Sequence, residues 1–188
     1  QGLESLGELT ATLQQQFTSQ TLSPWLQHLL EELTQRGLEE QACAHGLVLL
    51  FAGIETTQNL IGNTIWSLFE NPTQRKLLNA KPALLAQTLE ESLRYESPVF
   101  GVLRRVVTPV ELRGKKLETG AEVIVCLGAA NRDPAQFPEP NVFDIQRENK
   151  AHLGFGYGTH YCPGAALARL ETMLSLDVVR LLASRIVS

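Results

Sequence analysis

Residues 38–69 carry an unbroken helical period, with apolar side chains recurring at three and four residue intervals until Asn71-Pro72 ends the pattern. A helix of that length crosses a whole domain, so the chain is expected to fold around it as a mainly α protein. Its most apolar run, residues 46–54, is about half of the roughly 20 residues that a membrane span needs. It reads as a buried helix segment, not an anchor, and no signal peptide opens the chain.

Amphipathic periodicity also predicts helices over 3–17 and 24–36. Residues 72–80 and 82–95 predict two more, each opening on a proline, which the first helical turn tolerates. Ser97-Pro98 stops the second of these. Between 99 and 127 the text changes to short alternating runs, Val106-Val107, Val110-Glu111-Leu112 and Glu122-Val123-Ile124-Val125, with turns at Arg113-Gly114 and Thr119-Gly120. These predict a small sheet inside a helical protein. Residues 131–150, with three prolines and no period, predict an irregular ordered loop, and 163–184 a last helix.

Composition narrows the function. A chain of 188 residues with 44% hydrophobic and 19% charged residues and a net charge of −4 is an ordinary globular protein, without a basic stripe for nucleic acid. Three cysteines, Cys43, Cys126 and Cys162, are too few and too far apart for a disulfide framework or a zinc knuckle. A reducing, cytoplasmic setting is the expectation. The chain opens on Gln1 and enters helical text at once, and is read here as a fragment.

The most informative segment is Phe155-Gly156-Tyr157-Gly158-Thr159-His160-Tyr161-Cys162-Pro163-Gly164. It delivers a cysteine to a helix start, where unpaired amides and the helix dipole favour sulfur as a thiolate. Pro163 suits a first helical turn, and Gly164 with Ala165-Ala166 leaves a flat surface with room for something large and planar. Taken alone, the cysteine also reads as a buried free thiol near a turn. A nucleophile with His160 as base is disfavoured by their closeness in a tight loop, and a phosphate loop by the absence of Lys-Ser or Lys-Thr after the glycines.

Phe155, Gly158, Cys162 and Gly164 stand at the spacing Phe-x-x-Gly-x-x-x-Cys-x-Gly, so the chain resembles the cytochrome P-450 monooxygenases of soluble bacterial type. The resemblance implies the fold of that family in part, from its long central helix through the helix after the cysteine. It implies a haem b whose iron takes the Cys162 thiolate as axial ligand. Phe155, Gly156, Gly164 and Ala52 would line the haem. His160 and Arg104 would meet its propionates, with Arg105 the alternative to Arg104.

Three further segments agree with it. Glu91 and Arg94, three apart on one helix face, would begin a buried network completed by Arg147, bracing the loop before the cysteine. Ala52-Gly53-Ile54-Glu55-Thr56-Thr57 places a glycine and two β-branched threonines in mid-helix, poor choices for helix stability. Thr56 is expected to bond the carbonyl four residues back and open the helix locally. By resemblance Glu55 and Thr56 relay protons to dioxygen. Asn131-Arg132-Asp133-Pro134 reads as turn chemistry, and Arg169 as either a solvated helix arginine or a contact for an acidic electron donor.

The implied activity inserts one atom of dioxygen into a small apolar organic substrate, with two electrons from a ferredoxin or flavodoxin type donor. A peroxide-using haem-thiolate enzyme, or a truncated piece that binds haem weakly or not at all, are the alternatives. By the same resemblance the chain is the C-terminal haem-binding portion of one domain, without the N-terminal half and the final strands.

Overall fold

The computed structural model describes residues 2–18, 22–148 and 151–186, with side chains described from 7 to 180 inside those limits. The chain divides into two compact units, Gln1–Glu55 and Thr56–Ser188. Helix α3, Ala42–Glu70, belongs to both, residues 42–55 to the first and 56–70 to the second.

In the first unit α1 is Gly2–Thr18 and α2 is Pro24–Gln35. Ser23 caps α2, its hydroxyl accepting the Leu26 amide at 3.4 Å, and Pro24 follows where no amide is needed. The helix stops one residue before the expected Arg36. Gly37 turns left-handed there at φ 66°, so that the Leu38 amide reaches Leu33 O at 2.8 Å and the Gly37 amide reaches Thr34 O at 3.0 Å. A 3-10 turn, Glu39–Gln41, then leads into α3, which therefore starts at Ala42 and not at Leu38. Near its start Gly46 lies against α1, where a Cβ would stand 3.5 Å from the Phe17 ring.

In the second unit α4 is Pro72–Ala80, as expected, and α5 is Leu85–Tyr95. The proline at 82 opens a 3-10 turn, Pro82–Leu84, before α5 instead of starting the helix itself. The expected single sheet is two separate antiparallel ribbons. Strand β1, Val102–Arg105, pairs with β4, Glu122–Val125, and β2, Val110–Leu112, pairs with β3, Lys115–Leu117. Arg113 and Gly114, at φ 49° and 77°, make the two-residue turn between β2 and β3. Val106-Val107, expected within a strand, follows the end of β1.

A short helix α6, Leu127–Ala130, follows β4, and α7 is Ala165–Ile186. The irregular loop from Asn131 is present as expected, its last two residues, Asn149 and Lys150, lying outside the described residues. Two apolar clusters organise the unit. Leu68, Leu78, Phe143 and Ile145 join α3 and α4 to the irregular loop. Leu60, Leu89 and Leu93 join α3 to α5, with Phe155 and Met173 packed against them. The cysteine loop is thereby anchored on the second cluster. No helix among the described residues is long and apolar enough to cross a membrane.

Candidate functional site

Cys162 sits at the end of a loop that closes on itself. Gly156 and Gly158 take left-handed φ values of 75° and 73°, which side chains disfavour, and so let the chain reverse twice within three residues. The Gly156 amide donates to Leu153 O at 2.9 Å, and the Tyr161 amide donates to Gly158 O at 3.0 Å across a 3-10 turn, Gly158–His160. The Cys162 amide then donates to Phe155 O at 2.9 Å, which places the thiol beside the start of the loop. His160, in that turn, is exposed.

Pro163 is not in the first turn of α7. It lies with Gly164 in a separate turn, closed by the Ala165 amide on Cys162 O at 3.3 Å, and α7 begins with the Ala168 amide on Gly164 O at 2.9 Å. A Cβ on Gly164 would stand 3.9 Å from the Cys162 sulfur with no nearer neighbour. The space beside Gly164 next to the thiol is open.

Phe155 contributes a carbonyl to the cysteine turn while its ring packs on Leu60, Leu89 and Leu93. The Arg169 guanidinium lies over that ring, 4.5 Å from its centroid. Arg169 is partly exposed but not free. It donates to Glu90 through Nε at 2.6 Å and Nη2 at 3.0 Å. Glu90 also receives His152 Nε2 at 3.0 Å, since His152 Nδ1 accepts the Gly154 amide at 3.1 Å.

Burial alone would raise the Glu90 carboxyl, but the bonds from His152 and Arg169 and the Arg169 charge outweigh it and hold the group down at about 2. The same pairing raises Arg169. A carboxyl lowered on folding adds stability above its ordinary value of 4.5, and that stability is lost as pH falls towards 2. The difference in unfolding free energy between the wild type and Glu90→Gln is therefore expected near neutral pH and should close across that acid range. A gap that stays constant with pH would contradict the assignment.

Behind the loop lies a second buried cluster. Arg94 and Glu91 are each 1% exposed. Arg94 meets Glu91 in a fork, Nε to Oε2 and Nη2 to Oε1, both 2.8 Å. Its remaining N–H groups reach Asn131 O, Pro140 O and Val142 O, so all five donors are used. Arg147 Nε donates to both Glu91 oxygens at 3.2 Å, and its other nitrogens bond the carbonyls of Pro138, Glu139 and Val142. One carboxylate thus serves two guanidinium groups, and the loop carbonyls offset the surplus charge.

These bonds grip residues 131–147 and not the cysteine loop itself. The link onward is Asn131, fully buried, whose Nδ2 donates to Ser97 Oγ at 2.8 Å and whose Oδ1 accepts the Leu153 amide at 2.7 Å. Turn chemistry describes Asp133, whose carboxylate takes the Ala135 amide at 2.9 Å, but it does not describe Asn131. Arg132 lies over the Tyr95 ring, 4.0 Å from its centroid, and bonds Glu96 at 3.0 Å. An Asn in a Pro-bounded turn gave no local signal of this role, because its partners stand 22 and 34 residues away.

The two candidate propionate arginines point to opposite faces of β1. Arg105 is taken by Glu122 across the ribbon at 3.1 Å, whereas Arg104 bonds only the neighbouring Leu103 O at 2.9 Å among the bonds described. Ala52, Glu55 and Thr56 lie in α3, the first two exposed and Thr56 half-buried. The expected local opening is not seen, for α3 runs as α-helix through Gly53 and Thr56 without a break.

A helical frame with two small ribbons, a glycine-rich cysteine turn and a buried Glu-Arg-Arg cluster agrees with what comparison finds. The cytochrome P-450 family profile matches residues 79–179, more than half of the chain, and the chain belongs to that family. It is 48% identical over 139 residues to cytochrome P-450 107B1 of Saccharopolyspora erythraea, covering 73% of this chain and 34% of that protein. Over 141 residues it is 42% identical to the biotin biosynthesis cytochrome P-450 of Bacillus subtilis, covering 75% of this chain and 36% of the relative. Its fold matches the crystal structure of CalO2 with a TM-score of 0.87 at 33% identity, across 95% of this chain and 46% of that one. The chain thus spans about a third of the length of these curated relatives.

Family membership implies a haem with thiolate ligation, and the donors present fit one. Among the described residues no group of three or more His, Cys, Asp or Glu is gathered to hold a bare metal ion. A lone soft sulfur beside the open space at Gly164 suits iron whose other ligands come from a planar macrocycle.

Proposed function

We propose that this chain is the C-terminal haem-binding portion of a cytochrome P-450 domain. The whole protein inserts one atom of dioxygen into an apolar organic substrate, with two electrons from a ferredoxin or flavodoxin type donor. The observation that carries this reading is the presentation of Cys162 on a turn closed by its own amide to Phe155 O, beside the bare face of Gly164. When bound, haem would supply the dioxygen chemistry, with the thiolate donating electron density that favours oxygen–oxygen cleavage.

The residues divide the remaining work. Cys162 would hold the iron, and the turn closed by its amide on Phe155 O sets where the residue sits. By the family resemblance Phe155, Gly156, Gly164 and Ala52 would line the cofactor. His160 and Arg104 would meet its propionates, and the engagement of Arg105 with Glu122 supports the choice of Arg104. Glu55 and Thr56, a carboxylate and a hydroxyl adjacent in α3, would hold and relay protons from water for the dioxygen chemistry.

Turnover under isotopically labelled dioxygen tests the reading. One labelled atom is expected in the product, with the second in water. Product formed only when peroxide is supplied would overturn it in favour of a peroxide-using enzyme. Thr56→Ala is expected to lower product formed per oxygen consumed by about ten-fold or more, since a positioned proton donor contributes at least that much. Unchanged coupling would remove Thr56 from the proton path.

A further inference from the structure

We propose that Glu90 is a positioning residue for the cysteine loop, clamping the chain before the loop, at His152, to the chain after it, at Arg169. The inference rests on reading Cys162 as the haem ligand. It assigns the adjacent glutamates of α5 to separate tasks, Glu91 holding the irregular loop and Glu90 holding the cysteine loop.

A loop with glycines at 154, 156 and 158 has much backbone freedom to lose, and a metal ligand must be held within about half an ångström. The turn hydrogen bonds fix the loop's internal shape but leave its placement on the protein to other contacts. Phe155 on the second apolar cluster and Asn131 on the Leu153 amide supply two of them, and Glu90 supplies those that bracket the cysteine. One oxygen takes Arg169 Nε at 2.6 Å, and the other takes Arg169 Nη2 and His152 Nε2, each at 3.0 Å. The carboxylate is thus shared between residues 17 apart in sequence that bracket Cys162.

The grip reaches the thiol through two contacts. Arg169, steered by Glu90, covers the Phe155 ring at 4.5 Å, and the Phe155 carbonyl accepts the Cys162 amide at 2.9 Å. On the other side, His152 Nδ1 takes the Gly154 amide, where the backbone presses so closely on α5 that a Cβ would stand 3.0 Å from Leu93 O. Both flanks are thereby seated on α5. The arrangement uses a bidentate guanidinium fork, which a lysine at 169 would not reproduce.

Amide hydrogen exchange on the full chain reads this placement with or without haem. In Glu90→Gln the Cys162 amide is expected to exchange about ten-fold faster while amides in α4 and the α3 part of the same unit keep their protection. Arg169→Gln should give the same change, and the double variant no more than either single one, because one clamp is broken in all three. Wild-type exchange at Cys162 in a folded variant would overturn the proposal. A uniform rise across the unit would also overturn it, by showing only general destabilisation. Should Glu90→Gln not fold, Glu90→Asp, which keeps the charge on a shorter stem, is expected to give a smaller rise confined to the loop, and no change there would count equally against the clamp. A chain that lacks a thiolate haem spectrum yet shows the exchange change would defeat the ligand reading and leave the clamp standing. The reverse pattern would defeat the clamp alone.

Discussion

Arg94→Ala is expected to lower the unfolding free energy by about 3–5 kcal/mol. All five guanidinium donors of Arg94 are spent inside the protein, two on Glu91 and three on the carbonyls of Asn131, Pro140 and Val142. Removing it leaves a carboxylate that is 1% exposed with only the longer Arg147 Nε contacts at 3.2 Å and the Asp144 amide, and takes the guanidinium donors from the carbonyls of Asn131 and Pro140. Breaking one partner of a buried pair costs about 3–5 kcal/mol, a large part of the roughly 5–15 kcal/mol that holds a domain together. Arg94→Lys recovers a charge but at best three donors, and should fall between the two. Arg147→Ala, at the rim of the cluster with a 9% exposed side chain, should cost less than Arg94→Ala. Urea unfolding checks the order. A loss under about 1 kcal/mol for Arg94→Ala, within the range of an exposed pair, would contradict the account.

Local sequence signals located most of the frame because their causes are local. Prolines at 24 and 72 mark helix starts that need no amide, and Arg113-Gly114 marks a turn that needs left-handed backbone. Where the reading failed, the deciding contact was distant or subtle. Pro82 and Pro163 both suit a first helical turn, yet one opens a 3-10 turn and the other precedes the helix altogether. The β-runs gave no means of telling one sheet from two ribbons, since pairing partners are not written in alternation.

The cysteine turn was legible from its glycines and from the resemblance those residues carry. Its supports were not. Glu90 and Arg169 lie 79 residues apart, and Asn131 and Leu153 lie 22 apart, so neither pattern nor propensity joins them. Arg169, read as a surface arginine, proves to be tied to Glu90 and stacked on Phe155. Three weak local signals, a Glu-Glu pair, a helix arginine and a loop histidine, become one clamp only when the chain is folded. The expected opening of α3 at Thr56 failed for a different reason. A mid-helix threonine can bond back along its own helix without parting it.

The largest effect on the proposed chemistry should come from Cys162→Ala. The turn around residue 162 is made by backbone atoms, the amide on Phe155 O and the carbonyl on the Ala165 amide, so alanine keeps them. The packing of Phe155 on Leu60, Leu89 and Leu93 is also untouched. The variant should therefore fold as the wild type does and differ only in lacking sulfur beside the open space at Gly164.

The carbon monoxide difference spectrum of the reduced, haem-reconstituted chain, recorded beside that of Cys162→Ala, tests the central claim most directly. The wild type should give the long-wavelength Soret band of a thiolate-ligated ferrous haem, and the folded variant should lose it completely. A folded, haem-loaded wild type without that band, or a Cys162→Ala chain that retains it, would show that this cysteine does not hold the iron.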